Sequence, residues 1–307
     1  MDNSKHQVIT DFLNYIKNVR RYSSHTIRSY CHDLEEYYSF CKDFNPEQEF
    51  FHLDHTAIQS YLQHLTRKGL SARTLARRLA SIKSLYKYMQ INNIVELNIA
   101  RLVKTPKINR KLPHYLSLKE AHNILQLPTG NNEKALRDHL ILELFYATGI
   151  RISELINIRM HDIRIEEGII HILGKGSKER IVIMGDEATE SLRSYLIVKN
   201  KINPRSDKND YLFPGIRKNK SGKIKAISQR KVFNIVKKYL KVISNDEKLS
   251  PHSLRHTFAT HMLDNGADLM AIKDMLGHNS LSSTQVYTHL QPEKIKKIYK
   301  QSHPHAK

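Results

Sequence analysis

Apolar residues recur along most of the chain at spacings of three and four, the period of an amphipathic helix. Ser23 or Ser24 stands as an N-cap before a stripe of Ile27, Tyr30, Leu34, Tyr37, Tyr38 and Cys41, with Pro46 as a stop. Leu53 to Leu65 is a second periodic run, and Gly69 follows in the right place for a helix C-terminus. Ser71 then caps a third pattern, with Leu75, Leu79, Ile82, Tyr86 and Met89 on one face and Arg73, Arg77 and Lys87 on the other. Residues 1–100 therefore read as helices. From Val103 to Pro113 the period is lost, and the stretch holds two prolines and four basic residues. It reads as an extended basic linker.

Helical periodicity returns at Ala135–Tyr146, with Leu136, Leu140, Leu144 and Phe145. Ile169–Leu173 and Arg180–Met184 are β-rich runs around a Gly-rich turn, the pattern of a hairpin. Gln229–Leu240 and Pro251–Asn265 read as further helices. The expected fold is mainly α with a small β-hairpin insert, and 307 residues suffice for about two domains, each with its own core.

Charge changes this picture. Fifty Lys+Arg stand against 30 Asp+Glu, a formal net charge of +20 and a sequence pI near 9.8. Both parts are basic: residues 1–107 hold 16 Lys+Arg and 10 Asp+Glu, and the other 200 hold 34 and 20. A polyanion partner touching both parts is expected, nucleic acid being the commonest and an anionic membrane surface the rival. There is no run of 18 apolar residues and no basic-then-apolar leader, so neither a spanning segment nor a secretory signal is expected. Cys31 and Cys41 lie in one expected helix, roughly 15 Å apart along it, too far to bridge. A reducing cytosol fits.

Four segments carry candidate chemistry. In Ser250–Gly266, Ser250 suits the N-cap, Pro251 the first helical position and Gly266 the C-terminal cap. Leu254, Phe258 and Met262 share a core-facing arc, and His252, Arg255 and His256 share another, near a helix N-terminus that favours an anion. The i, i+4 pair His252 and His256 allows a zinc reading, but no Glu lies between them and no cysteine lies near. Tyr146–Leu155 places Arg151 after a Gly149 turn and at the start of a helix. Gly174-Lys175-Gly176 makes a basic hairpin turn, whose simpler reading is a solvated tip. In Leu276–His289, Gly277 ends a helix carrying Leu269, Ile272 and Leu276, and Ser282 or Ser283 starts another that carries Tyr287.

Taken together, these segments resemble the tyrosine recombinase (phage integrase) family, and within it the Xer-type recombinases. The resemblance spans nearly the whole chain. It rests on Gly69–Arg78, Ala147-Thr-Gly-Ile-Arg151, Gly174–Arg180, His252-Ser-Leu-Arg255, Leu276-Gly-His278 and Tyr287-Thr-His289. It implies an N-terminal SAM-like helical bundle that binds the DNA core (1–102), a basic linker (103–113) and a mixed α/β catalytic domain (114–307). The tail of that domain is expected to be exchanged between protomers.

The family's six-member site is complete as Arg151, Lys175, His252, Arg255, His278 and Tyr287. The resemblance implies that Tyr287 attacks a phosphodiester to give a 3′-phosphotyrosyl link. His252 assists its deprotonation, Arg151 and Arg255 clamp the phosphate, His278 donates to it, and Lys175 protonates the leaving 5′ oxygen. No metal, cofactor or nucleotide energy is implied. Arg73, Arg77, Arg78, Lys107 and Arg110 are candidate DNA contacts.

The implied partners are a double-stranded recombination site and further copies of the chain or a paralogue, forming a tetramer on two duplexes. A septal DNA translocase is a further implied partner; a membrane is not. The implied setting is cytoplasmic, on the chromosome, in chromosome or plasmid dimer resolution. A mobile-element integrase of the same family, a type IB topoisomerase and a non-catalytic architectural DNA-binding protein are the alternatives.

Overall fold

A computed structural model describes residues 6–108, 114–174, 179–202, 207, 209–218, 222, 224–277 and 292–306. The chain divides between residues 111 and 112 into two compact units. Four helices form the first: α1 (Gln7–Asn18), α2 (Ser24–Phe44), α3 (His55–Arg67) and α4 (Ala72–Ile91). Three start at the side-chain caps that the chemistry of helix ends demands. Ser23 Oγ accepts from the Thr26 N–H, Asp54 from Thr56 and Ser71 from Thr74.

Phe12, Leu34, Tyr37, Ile58, Leu79, Ile82, Tyr86 and Met89 fill the space between them, all at 1% exposure or less. The buried phenols are satisfied: Tyr86 donates to the Phe50 carbonyl at 3.0 Å and lies 3.4 Å from the Tyr37 hydroxyl. Val103 belongs to this core, and Lys83 Nζ donates to its carbonyl at 2.8 Å. The extended stretch therefore begins after Val103, one residue later than the sequence pattern places it.

Helices α2 and α4 are also joined by charge. Asp33 is wholly buried on α2, and Arg77 of α4 donates to it. Arg78 lies beside it at 7% exposure, paired with Glu36 at 2.5 Å and donating to the Tyr61 hydroxyl at 2.9 Å. This corrects the sequence-based expectation for Arg78. Its guanidinium faces into the bundle and braces α4, whereas Arg73 and Arg77 are exposed.

The second unit comprises α5 (Leu118–Gln126), α6 (Glu133–Thr148), α7 (Ile152–Leu155), β1 (Ile163–Arg164), β2 (Ile169–Leu173), β3 (Glu179–Ile183), α8 (Gly185–Ile202), β4 (Pro214–Lys218), β5 (Ile224–Ala226), α9 (Gln229–Ile243), α10 (Pro251–Asp264), α11 (Leu269–Leu276) and α12 (Pro292–Ser302). Helix α6 is its axis. Every residue from Leu140 to Thr148 is buried, with α5, α8, α9 and α10 around it. That explains its weak amphipathicity: a helix covered on all sides needs no polar face.

Strands β1, β2 and β3 form an antiparallel sheet in which Ile172 faces Arg180 and Leu173 faces Glu179. β4 and β5 form a separate antiparallel pair that the hydrophobic pattern did not anticipate. Their sequence is basic rather than alternating. Gly215 lets them close, since a Cβ there would sit 2.7 Å from the Ala226 carbonyl oxygen.

The C-terminal helix α12 packs on α10, α11 and β3 of its own unit. Tyr299 is buried and donates to the Met184 carbonyl at 3.2 Å. His303 stacks flat on Tyr299 (4.6 Å, 7°), and its Nε2 donates to the Tyr146 carbonyl at 3.2 Å. Burial holds the His303 imidazole near pKa 3, and so neutral. His261 completes the layer. Its Nε2 donates to the Leu116 carbonyl at 3.0 Å, so its Nδ1 accepts from the Tyr146 hydroxyl at 3.1 Å.

Replacing Asp33 by Asn removes the buried charge that Arg77 and Arg78 share. The first unit should lose about 3 kcal/mol, read as a lowered midpoint of its transition in urea unfolding of the full chain.

Candidate active site

Two glycine turns shape the site. Gly149 caps α6 in the left-handed region (φ 59°), and a Cβ on it would lie 2.6 Å from Phe258 and 2.7 Å from Leu276. Gly277 caps α11 in the same way (φ 64°). Neither position accepts a side chain without strain.

Arg255 projects from α10 into the gap between these turns. It is 7% exposed and donates to the Gly149 carbonyl and, at 2.6 Å, to the Leu276 carbonyl. The helical arc placed it off the core; the structure turns its guanidinium inward to two helix C-termini. Burial, and then the positive charge of Arg151, pulls its pKa down to about 10. It therefore stays charged at neutral pH.

Arg151 follows the Gly149 turn. Its Nη2 donates to the Gly277 carbonyl at 3.3 Å, so Arg151 and Arg255 reach consecutive carbonyls of one chain segment. Its backbone N–H donates to Glu154 Oε2 at 2.7 Å, and its Nη1 to Glu154 Oε1 at 2.9 Å. The Arg151 backbone N–H is therefore already used. What remains for an anion is the guanidinium, which is about one third exposed.

Glu154 organises the cluster. It is 6% exposed and also receives both terminal nitrogens of Arg180, at 2.9 and 2.8 Å. Burial alone would raise its pKa. The hydrogen bonds from Arg180 and from the Arg151 backbone outweigh that and hold it at about 2. Arg180 Nε donates to the Met275 carbonyl at 3.1 Å. Three arginines thus take the carbonyls of Met275, Leu276 and Gly277 in turn, and one carboxylate sits among them. The three positive charges exceed that carboxylate's by two, which suits a bound phosphodiester that gains charge in a transition state.

His252 lies on the first turn of α10, exposed, one turn before Arg255. His256 is exposed on the same helix, its pKa lowered by burial and by the nearby His252 and Arg255. The structure therefore brings Arg151 and Arg255 together, with His252 on the same helix as Arg255. Lys175, His278 and Tyr287 lie outside the described residues, as does Arg110; Lys107 is exposed. Among the described residues no group of three or more His, Cys, Asp or Glu could hold a metal ion, and no helix is long and apolar enough to cross a membrane.

The sequence reading passed over three features. Glu154 was visible as an acid three residues after Arg151, the N3 position of a capping box. Arg180 sits in a quoted motif but was given no role. The third is charge sign: residues 211–245 contain ten Lys+Arg and no Asp or Glu. Arg217, Lys218 and Lys225 of the β4–β5 pair and Arg230 and Lys231 at the start of α9 are all exposed there.

Comparison with known proteins identifies the family. Residues 114–294 match the phage integrase family, and residues 9–91 match the phage integrase N-terminal SAM-like domain. The chain is 40% identical to the tyrosine recombinase XerC of Thermodesulfovibrio yellowstonii, over 97% of both chains. It is 36% identical to the tyrosine recombinase XerD of Staphylococcus epidermidis, over 97% of this chain and 99% of that one. In fold it is similar to the crystal structure of XerH site-specific recombinase bound to its difH substrate before cleavage (TM-score 0.65, 23% identity, 94% of this chain and 83% of that one).

Arg151→Lys keeps the charge but loses the fork that serves Glu154 and Gly277 together. Covalent adduct formation on a DNA substrate should fall on the order of 10²-fold, with duplex affinity in a mobility-shift titration changed far less. Glu154 is ionised more readily in the folded chain than its ordinary pKa of 4.5 implies. The stability it contributes is therefore full above about pH 4.5 and lost as pH falls toward 2. Glu154→Gln should be less stable at pH 7 and should flatten that acid limb in thermal melts across pH 2–5.

Proposed function

The chain belongs to the phage integrase family of tyrosine recombinases, enzymes that cut and rejoin DNA strands, and from this we propose an Xer-type site-specific recombinase acting through a 3′-phosphotyrosyl intermediate. The observation that carries this reading is the convergence of Arg151 and Arg255 on consecutive carbonyls beside the Gly277 turn. Two guanidinium groups fixed in this way clamp the non-bridging oxygens of one phosphate and stabilise the charge that builds on it during in-line displacement.

Tyr287 is the nucleophile. A phenol of pKa ~10 is ionised in only about one molecule in 10³ at pH 7, a cost of roughly 4 kcal/mol. His252 lowers that cost by accepting the phenolic proton as the oxygen attacks. The bond from phosphorus to the 5′ oxygen breaks, and Lys175 supplies that oxygen with a proton. His278 donates a further hydrogen bond to the phosphate. A 5′ hydroxyl from the partner duplex then displaces Tyr287 and seals the new junction. The phosphoester energy is conserved throughout, so the chemistry needs no nucleotide.

Duplex binding draws on both units. Arg73 and Arg77 stand one turn apart on α4, braced from beneath by Arg78 and Asp33; exposed Lys107 adds positive charge, and Arg110 follows it in sequence. The acid-free stretch 211–245 gives the catalytic unit its own backbone-binding surface, which adds salt-dependent affinity by counterion release. The working assembly is a tetramer of this chain, alone or with a paralogue, on two duplexes. The groove that α12 fills in its own chain is the same in every copy, so exchange of that segment between protomers needs no new surface. Chromosome or plasmid dimer resolution in the cytoplasm, with a septal DNA translocase, is the setting that fits an Xer-type enzyme.

A suicide substrate, nicked so that the cleaved fragment diffuses away, tests the reading. The wild-type chain should accumulate a covalent protein–DNA adduct. Tyr287→Phe should bind the same duplex and form none, and an adduct in that variant refutes the nucleophile.

A further inference from the structure

Arg180 has no place in the phosphate clamp or in the proton transfers above, yet it is among the most engaged side chains of the catalytic unit. It stands on β3 opposite Ile172, and the single pair Leu173 and Glu179 separates it from residues 174–178, which include Lys175. Its side chain is 13% exposed. Nε, Nη1 and Nη2 donate to the Met275 carbonyl and to the two oxygens of Glu154. A Cβ on Gly277 would lie 3.1 Å from its Nη1, so the guanidinium fits closely beneath the α11 turn. With three donors committed and little surface showing, it is poorly placed to bind DNA itself. Its contacts instead join three elements: the hairpin, the α7 residue that orients Arg151, and the helix end that orients Arg255.

We propose that Arg180 is a positioning residue: by fastening the turn end of the β2–β3 hairpin to Glu154 and to the last turn of α11, it fixes the strand ends between which Lys175 lies in sequence. The inference rests on Lys175 being the general acid. A planar five-donor group can hold two acceptor sets at fixed angles, which an ammonium cannot. Misplacing a reacting group by about 1 Å costs on the order of 10²-fold in rate, so a slack hairpin should slow the step that Lys175 serves and leave phosphate binding largely intact.

The chemistry of the leaving group separates this from a general structural role. In the normal step the P–O5′ bond breaks and the leaving oxygen takes a proton from Lys175. If sulfur replaces the bridging 5′ oxygen, the leaving group is a thiol of pKa ~8.5 and departs as thiolate without that proton. Cleavage of suicide substrates with bridging oxygen and bridging sulfur is therefore compared for the wild-type chain, Lys175→Ala, Arg180→Met and Arg180→Lys, with duplex affinity and melting temperature measured in parallel.

Arg180→Met should cleave the oxygen substrate on the order of 10²-fold more slowly, and the sulfur substrate should bring it within about threefold of wild type. Arg180→Lys should fall between, and it carries the same comparison if the methionine variant does not fold. Two results overturn the proposal: a wild-type rate on the oxygen substrate, or an equal deficit on both substrates while Lys175→Ala is rescued by sulfur. If sulfur does not rescue Lys175→Ala, the general-acid reading itself fails, and the inference with it.

Discussion

One buried carboxylate makes the catalytic cluster possible. Arg151, Arg180 and Arg255 would repel one another strongly in a site this dry, and the lowered pKa of Arg255 records part of that strain. Glu154 holds two of them in fixed geometry by accepting four hydrogen bonds, three from guanidinium nitrogens and one from a backbone N–H. It does not neutralise the set. The excess positive charge is directed at whatever anion completes the site, and a phosphodiester answers that description. Breaking such a buried pair costs several kcal/mol because the remaining charge is left uncompensated, so binding geometry and folding stability rest here on the same residue.

Helix ends supply the rest of the architecture, though not in the way anion sites are usually built. An anion commonly sits on the N–H groups of a helix N-terminus. Here two helices end at glycine turns, and their carbonyls, at the negative end of each dipole, hold arginines. That arrangement requires Gly149 and Gly277 to be bare, since a Cβ on either would enter space already occupied by Phe258, Leu276 or Arg180.

Much of this was legible in the order of residues. The caps at Ser23 and Ser71, the hairpin around Gly174 and the core faces of α2, α4 and α10 follow from local rules, and those local rules agree with the tertiary packing. Arg151 and Arg255 were found by spacing and resemblance. What spacing could not reveal was direction. A helical wheel put Arg255 away from the core, because a wheel knows only its own helix, whereas the carbonyls that draw this side chain inward belong to residues over 20 and over 100 positions away. Arg78 was misread for the same reason: it follows two surface arginines in sequence, but its partners Glu36 and Tyr61 are on other helices. The β4–β5 pair escaped because its strands are basic and nearly without apolar alternation.

The docking of α12 on its own unit bears on how copies associate. A segment tethered beside its groove competes with any incoming segment at an effective concentration on the order of millimolar. A copy arriving from dilute solution cannot displace it by mass action. Two copies held side by side on one polymer compete on nearly equal terms, because each then offers its tail at similar local concentration. If copies exchange this segment as proposed, the buried Tyr299–His303 stack would act as a threshold on crowding: association through this groove would be suppressed in bulk solvent and become accessible where a template already holds the copies together.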